Sequence, residues 1–141
     1  MREHIDEVSE PIEAMLNSKT FEDKVKWLVQ RIHEFLMYTN KILQENLESL
    51  PPPNVKIYAG RINAYSELST TLALIKKHEE KIEDIEKAQL LAQQLFEDIY
   101  SQFQTHCLGN EQKGREIMEM IIVPHYIFVK FFNSCSNNLQ L

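Results

Sequence analysis

Helix-breaking residues are scarce in this chain, and that scarcity constrains its fold more than any other feature. Three glycines and five prolines occur among the 141 residues, and three of the prolines stand together as Pro51-Pro52-Pro53. A fold of many short strands needs frequent turns, and glycine and proline are among the residues that most often form them. The sequence therefore disfavours an all-β fold and favours a few long helices.

The clearest helical pattern runs from Thr20 to about Leu50. Apolar residues there recur at steps of three and four, which places them on one face of a helix. This face comprises Phe21, Val25, Leu28, Ile32, Phe35 and Ile42, and it is widened by Leu36, Leu43 and Leu50. A stripe this wide is typical of a bundle helix rather than of a two-stranded coiled coil. Thr20 supplies an N-cap hydroxyl, and the triple proline ends the helix because proline lacks an N–H.

Three further helices are predicted, over residues 54–77, 81–108 and 111–133, and Asn54 is expected to cap the first of them. The apolar pattern changes phase near residues 77–81, which fits either a turn or one long helix with a stammer. We favour the turn, because a helix of about fifty residues would be about 70 Å long and a chain of this size could not cover it.

The two ends of the chain are predicted to contain interrupted helices. Residues 2–18 form a short helix in which Ser9 caps a restart ahead of Pro11, a residue that is tolerated in a first turn. Gly109-Asn110 predicts a stop and a restart before the last helix, and Pro124 predicts an interruption within it.

Together these patterns predict an all-α fold, an antiparallel bundle of four main helices with a short N-terminal helix packed on it. Short connections make sequential helices antiparallel neighbours. The chain is expected to form one domain, 1–141, divided into a short N-terminal helix (1–19), the bundle (20–133) and a polar tail (134–141). The layout of two helix pairs also leaves room for stacking like that of helical-hairpin repeats.

Charge and composition exclude several classes of function. The formal charge of −6 argues against a nucleic-acid binder, which needs a basic surface. No run of about 18 apolar residues occurs, so no transmembrane helix or membrane contact is expected. The N-terminus lacks the apolar core of a signal peptide, which favours the cytoplasm. Cys107 and Cys135 lack CxxC spacing, which favours two free thiols in a reducing compartment.

No pattern typical of catalysis or metal binding is present. A metal site inside a helical bundle needs a carboxylate one turn from a histidine, and no histidine has one three residues before it or four residues after it. His106 and Cys107 are helix neighbours that point about 100° apart, so they do not form an activated thiol. The three glycines never cluster into a phosphate loop. The sequence therefore predicts no enzyme, no cofactor, and no catalytic, cofactor-binding or metal-binding residue.

Charge is distributed unevenly along the chain. Residues 51–78 have an excess of basic side chains, and residues 79–108 have an excess of acidic ones. The first interpretation is that these are the solvated faces of two antiparallel neighbours, which attract each other weakly. The second is that the acidic strip docks a basic partner.

Aromatic residues provide the candidate partner-binding positions. Trp27 and Tyr38 lie beside the core stripe of their helix, and exposed Trp and Tyr side chains often anchor interfaces. The stretch 121–132 is apolar on all sides, so it is either the central helix of the bundle or part of a hydrophobic contact. In the second case Tyr126, Phe128, Phe131 and Phe132 would be buried against a second chain.

The predicted function is that of a non-catalytic protein–protein interaction module, an adaptor, assembly subunit or regulator that binds through its helix surfaces. Its partner is another protein, and its wide apolar faces also allow a homodimer. The alternative is a small helical ligand-binding protein or enzyme with a pocket between helices.

Overall fold

The computed structural model describes the backbone of residues 2–106 and 111–139, and side chains at 5–104, 112 and 114–137. The elements are α1 (Arg2–Asn17), α2 (Phe21–Glu45), α3 (Pro52–Lys76), α4 (Ile82–His106), α5 (Glu111–Ile117) and α6 (Val123–Leu139), with a π-helical turn (Met118–Ile122) between α5 and α6. No strand occurs in these two stretches of backbone. The prediction of an all-α fold is confirmed.

Contacts between helices show that neighbours run in opposite directions. Near the end of α3, Lys76 pairs with Glu22 at the start of α2, whereas Tyr65 farther back on α3 stacks on Phe35. The other neighbouring pairs behave in the same way, through Arg61–Asp98 and Glu67–Lys87, Gln89–Asn133 and Phe96–Tyr126, and Phe21–Phe131 and Phe35–His125. Helices α2, α3, α4 and α6 therefore close into an antiparallel four-helix bundle.

The bundle has one apolar interior to which all four helices contribute. Its fully buried members include Leu28 and Ile32 of α2, Leu68 and Leu72 of α3, Ile85 and Ala92 of α4, and Phe128 and Phe132 of α6. Burial of a large apolar side chain stabilises a fold by about 1.5–3 kcal/mol. Most residues of the predicted stripes thus face the interior, but Phe21 and Ile82, at the first turns of α2 and α4, are exposed.

Helix α1 packs on the outside of this bundle, against α6. Ile5 and Leu16 are buried there, and Glu13 forms an ion pair of 3.0 Å with Lys130. The predicted interruption at Ser9 is wrong, because the helix is continuous through Pro11. The Ser9 hydroxyl bonds to the Asp6 carbonyl and the Glu13 carboxylate within the helix, so it is not used as a cap.

The predicted turn between α3 and α4 is confirmed. His78 adopts a left-handed conformation with φ of 59°. Glu79 N–H donates to the Leu74 carbonyl at 3.0 Å, and His78 N–H donates to that of Ile75 at 3.1 Å. These two bonds form a Schellman motif, which satisfies the last carbonyls of α3.

Of two predicted N-cap residues, Thr20 is confirmed and Asn54 is wrong. Thr20 caps α2 as expected, since its hydroxyl accepts from Asp23 N–H at 3.2 Å. Asn54 does not cap α3, which begins at Pro52 with Pro51 as its N-cap. Proline suits a first turn because its fixed φ is helical and its missing N–H would have no acceptor there.

Helix ends elsewhere also differ from prediction. Helix α2 ends at Glu45 rather than near residue 50, and the side chain of Asn46 donates to the Ile42 carbonyl at this end. Helix α6 continues to Leu139 and buries Ser136, so the predicted polar tail is helical as far as that residue. The predicted stop at Gly109-Asn110 lies outside the described residues.

Candidate binding site

A cleft opens at the end of the bundle where α2, α3, α4 and α5 diverge. Its volume is about 370 Å³. Its walls are aromatic and branched apolar side chains, chiefly Phe35, Tyr58, Phe103, Ile99 and Ile121, and Tyr38 stands at its rim. Arg61 and Tyr65 also line it. We call this site the aromatic cleft.

Tyr65 continues from the cleft into the core, where it meets a buried histidine. Its phenol oxygen lies 2.6 Å from Nε2 of His125, and Nδ1 of His125 lies 2.7 Å from the Ile121 carbonyl. A carbonyl can only accept, so Nδ1 carries the proton of the neutral ring. Nε2 is then the acceptor, and Tyr65 donates its hydroxyl proton to it.

Burial keeps both members of this pair neutral. It lowers the pKa of His125 to about 4 and raises the pKa of Tyr65 well above its usual value, although the nearby charge of Arg61 opposes the second shift. The Phe35 ring packs 4.4 Å from the imidazole, which completes an apolar enclosure. A neutral pair with a fixed direction of proton donation therefore lies behind the cleft.

The π-helical turn explains how His125 reaches this position. Pro124 has no N–H, and in a regular helix its ring would clash with the carbonyl four residues earlier. The chain instead widens by one residue, and Val123 N–H donates to the Met118 carbonyl. Helix α6 continues after the wider turn, so the predicted interruption at Pro124 takes the form of a π-turn and not of a break.

Arg61 is held on the cleft wall by a nearby carboxylate and an aromatic ring. Its side chain is only 10% exposed, and its Nε donates to Oδ2 of Asp98 at 2.7 Å. Nη2 is buried and lies 2.6 Å from the same oxygen, so Nε and Nη2 both pair with the Asp98 carboxylate. The guanidinium also lies over the Tyr58 ring, 5.4 Å from its centroid.

Three of the six predicted partner-binding residues are buried in this chain's own interior. Phe128, Phe131 and Phe132 are each at least nine-tenths buried, and Tyr126 is half-buried against Phe96. The interpretation of residues 121–132 as the central helix therefore describes the structure. Within this run Lys130 is exposed and Ile121 and Tyr126 are half-buried, whereas the other residues are buried.

The other two predicted residues, Trp27 and Tyr38, lie on one shoulder of α2, beside its core-facing stripe. Trp27 packs against the edge of the core, and Tyr38 lines the rim of the aromatic cleft. Tyr38 is 61% exposed and the adjacent Met37 is 71% exposed. Trp27 is half-buried, and the Arg31 guanidinium lies 5.7 Å from its ring centroid. We call these four residues, Trp27, Arg31, Met37 and Tyr38, the outer face of α2.

Two ion pairs join α3 and α4. Lys87 pairs with Glu67 at 3.5 Å, and Arg61 pairs with Asp98. Of these two contacts, Arg61–Asp98 joins the basic segment to the acidic one as predicted, whereas in Lys87–Glu67 the signs are reversed. Glu83, Glu86 and Glu97 of α4 remain solvent-exposed.

Two features of the site were missed from the sequence. His125 was considered only as a metal ligand, whereas its position inside an apolar run directly after a proline could have indicated a buried polar pair. Arg61 was considered only as part of a basic segment.

The two cysteines predicted as free thiols differ in what can be said of them. Cys135 is half-buried, and burial raises its pKa to about 11. Cys107 lies outside the described residues.

Among the described residues, no three His, Cys, Asp or Glu side chains come together as metal ligands. None of the helices, as far as they are described, is long and apolar enough to cross a membrane. Comparisons with protein-family models, with curated proteins and with solved structures found no match.

Proposed function

We propose that this protein is a non-catalytic binding module that recognises another protein through the outer face of α2. The observation that carries this proposal is the exposure of Met37 and Tyr38 beside the Trp27–Arg31 pair. Tryptophan, tyrosine, methionine and arginine are the residue types most enriched in protein interfaces. Exposure of such large apolar side chains in water is otherwise unfavourable.

The geometry of the outer face supports an elongated partner. Trp27 and Tyr38 are separated by about three helical turns and therefore lie on the same side of α2. Arg31 lies between them and forms an ion pair of 2.9 Å with Glu34. This contact holds the arginine extended over the tryptophan ring, so part of the surface is ordered before a partner arrives.

We propose that the partner contributes an amphipathic helix that lies along α2. Trp27, Arg31 and Tyr38 form a row along α2, with Met37 beside it, and such a row matches the apolar stripe of a second helix, whose anchors recur every three or four residues. The flanking charges of α2, Lys26, Lys41, Glu34 and Glu45, include both signs and would form the polar rim of such a contact.

Site-specific photo-crosslinking tests this function. A photoreactive amino acid replaces Tyr38 in one variant and Leu90 in another, because Leu90 is similarly exposed, at 57%, but lies on α4. We expect one protein to be crosslinked through position 38 and not through position 90, and the same protein to be lost when Met37 is changed to Ser. Equal crosslinking at both positions, or a crosslink only to a second copy of this chain, would contradict the proposal.

A further inference from the structure

We infer that α3 forms the interface of a homodimer, in which the α3 helices of two copies pack antiparallel through their solvent-exposed sides. Three features indicate a second copy of this chain as the occupant. They are a charge pattern on α3 that complements itself under a two-fold axis, an exposed glycine near the centre of that pattern, and an apolar groove beside it. This surface lies on a different helix from the outer face of α2, so the inference does not depend on the partner proposed above.

Four residues on the solvent side of α3 form a row along the helix. Lys56, Gly60, Asn63 and Glu67 follow one another at steps of four, three and four residues, the spacing of a single helix face. The first three are exposed, and the side chain of Glu67 is 45% exposed. We call these four residues the α3 row. It is a helix face that is open to solvent.

The charges of the α3 row suit a second α3 that runs in the opposite direction. Lys56 and Glu67 stand at its two ends, eleven residues and therefore about 16 Å apart. A two-fold axis midway between them places Lys56 of each copy opposite Glu67 of the other, so the same contact is made twice, as in any isologous interface. A parallel arrangement would instead place each charge opposite its like, which is unfavourable. The charge pattern therefore selects the antiparallel pairing.

Glu67 can make this contact without giving up the one that it already has. Its Oε2 atom pairs with Lys87 of α4 at 3.5 Å. An ionised carboxylate has about four acceptor positions, so Glu67 can also accept from the flexible ammonium group of Lys56 in the other copy. Each half of the interface would then hold a network of three charges, which stabilises more than an isolated exposed pair.

Gly60 lies near the centre of the proposed contact, opposite Asn63 of the other copy. Glycine inside a helix lowers the stability of that helix relative to alanine. A Cβ atom at Gly60 would have no neighbouring element within 4 Å, so packing inside the bundle does not require the glycine. A second helix does provide a reason, because the distance between two packed helices depends on the size of the side chains at their contact.

An apolar groove beside the α3 row supplies the hydrophobic part of the contact. It lies between α3 and α4, has a volume of about 500 Å³, and has Ile57, Ala64, Leu91 and Leu95 among its walls. Ile57 is 41% exposed. The two-fold axis brings the α4 sides of the two copies together, so Ile57 of each copy lies beside Ala64 of the other. Burial of Ile57 in the facing groove adds the apolar area that the polar α3 row lacks.

Sedimentation velocity of the full chain tests whether the dimer forms. A concentration series that reaches about 1 mM is suitable, because small polar interfaces give weak complexes. We expect a reversible equilibrium between monomer and dimer that shifts toward monomer as salt is added, since salt screens exposed charges. A chain that stays monomeric over the whole series would overturn the inference.

Charge reversal tests whether the α3 row is the interface. Lys56→Glu and Glu67→Lys each place like charges opposite one another twice, so each should weaken dimerisation at least about tenfold. An equimolar mixture of the two variants should dimerise again, because both contacts of the mixed dimer join opposite charges. Lys41→Glu makes the same change of charge on α2 and should dimerise like the wild type. Single variants that dimerise normally, or a mixture that does not recover, would overturn the inference.

Gly60→Glu tests the centre of the contact independently of the charged ends. The space around Gly60 is open within the chain, so this variant should fold with an unchanged or higher melting temperature. Its dimerisation should nevertheless weaken at least about tenfold, because a charged side chain then lies between the two helices. Ala73→Glu is the matched control, since Ala73 is exposed on the same helix but outside the α3 row. Normal dimerisation of Gly60→Glu, or equal weakening in both variants, would contradict the proposed contact.

Discussion

Tyr65 and His125 are sixty positions apart in the sequence, yet the phenol oxygen of the first lies 2.6 Å from Nε2 of the second inside the core. The contact joins α3 to α6 across the bundle. The Ile121 carbonyl fixes the tautomer of the histidine, so Tyr65 is the donor in this contact.

A double-mutant cycle should reveal coupling within this pair. Tyr65→Phe leaves Nε2 of His125 buried without a partner, which should lower the free energy of unfolding by about 1–3 kcal/mol. His125→Phe has the same consequence for the Tyr65 hydroxyl. In the double variant neither group is left unpaired, so it should lose less stability than the two single variants combined. Additive losses in urea denaturation would mean that the pair contributes no specific interaction.

Stability should fall in mild acid because His125 is held neutral. Its folded pKa of about 4 lies below the value of 6.5 for an exposed histidine. Between these values the unfolded chain binds a proton that the folded chain does not, so stability rises with pH. The contribution is fully present above pH 6.5 and is lost progressively as the pH falls to about 4, a change of about 3 kcal/mol.

Urea denaturation at pH 7.5, 6, 5 and 4 measures this dependence. The same series on His125→Phe is the control, because that variant lacks the titrating group and should lose most of the pH dependence over the same interval. An identical slope in both proteins would show that other groups cause it.

Replacement of His78 by glycine should stabilise the protein. His78 has a positive φ, which costs residues other than glycine about 1 kcal/mol. His78→Gly should therefore raise the free energy of unfolding by up to about 1 kcal/mol, offset in part by the greater freedom of glycine in the unfolded chain. Lys77→Gly is the matched control, since Lys77 has an ordinary φ of −89° and should gain nothing. A loss of stability in His78→Gly would contradict the prediction.

Acidic substitutions should distinguish the core from the outer face of α2. Phe128 is 1% exposed, so Phe128→Asp places a charge among apolar side chains and should prevent folding. Tyr38→Asp places the same charge on an exposed position and should change the free energy of unfolding by less than about 0.5 kcal/mol. Circular dichroism during thermal unfolding measures both. A folded Phe128→Asp variant would mean that this ring is not part of the core.

The helices were predictable because their signals are local. In the stripe from Phe21 to Ile42, each apolar residue lies within one or two helical turns of the next. The phase change before Ile82 likewise lies next to the turn that it predicts. Boundaries such as Asn46 and Pro52 were less predictable, since several residues nearby were equally capable of ending or beginning a helix. Short-range competition of this kind is not resolved by periodicity alone.

The site was less predictable because its parts are distant in sequence. Arg61, Tyr65, Asp98 and His125 come from three helices, and no spacing rule relates them. The run 121–132 was recognisable as apolar on all sides, but sequence could not decide whether this chain or a second one buries it. The structure shows that α6 packs against α1 and α4, and that Phe21 and Phe35 of α2 contact Phe131 and Phe128.

The π-helical turn at Met118–Ile122 has a consequence for how homologous or engineered chains tolerate changes in length. Such a turn holds one residue more than an α-helical turn, so removing one residue there would restore a regular ladder of backbone bonds. The same deletion would rotate α5 by about 100° relative to α6. Ile117 would then leave the wall of the aromatic cleft, and the Pro124 ring would meet the carbonyl four residues before it. The additional residue in this turn therefore sets both the orientation of α5 and the shape of the cleft.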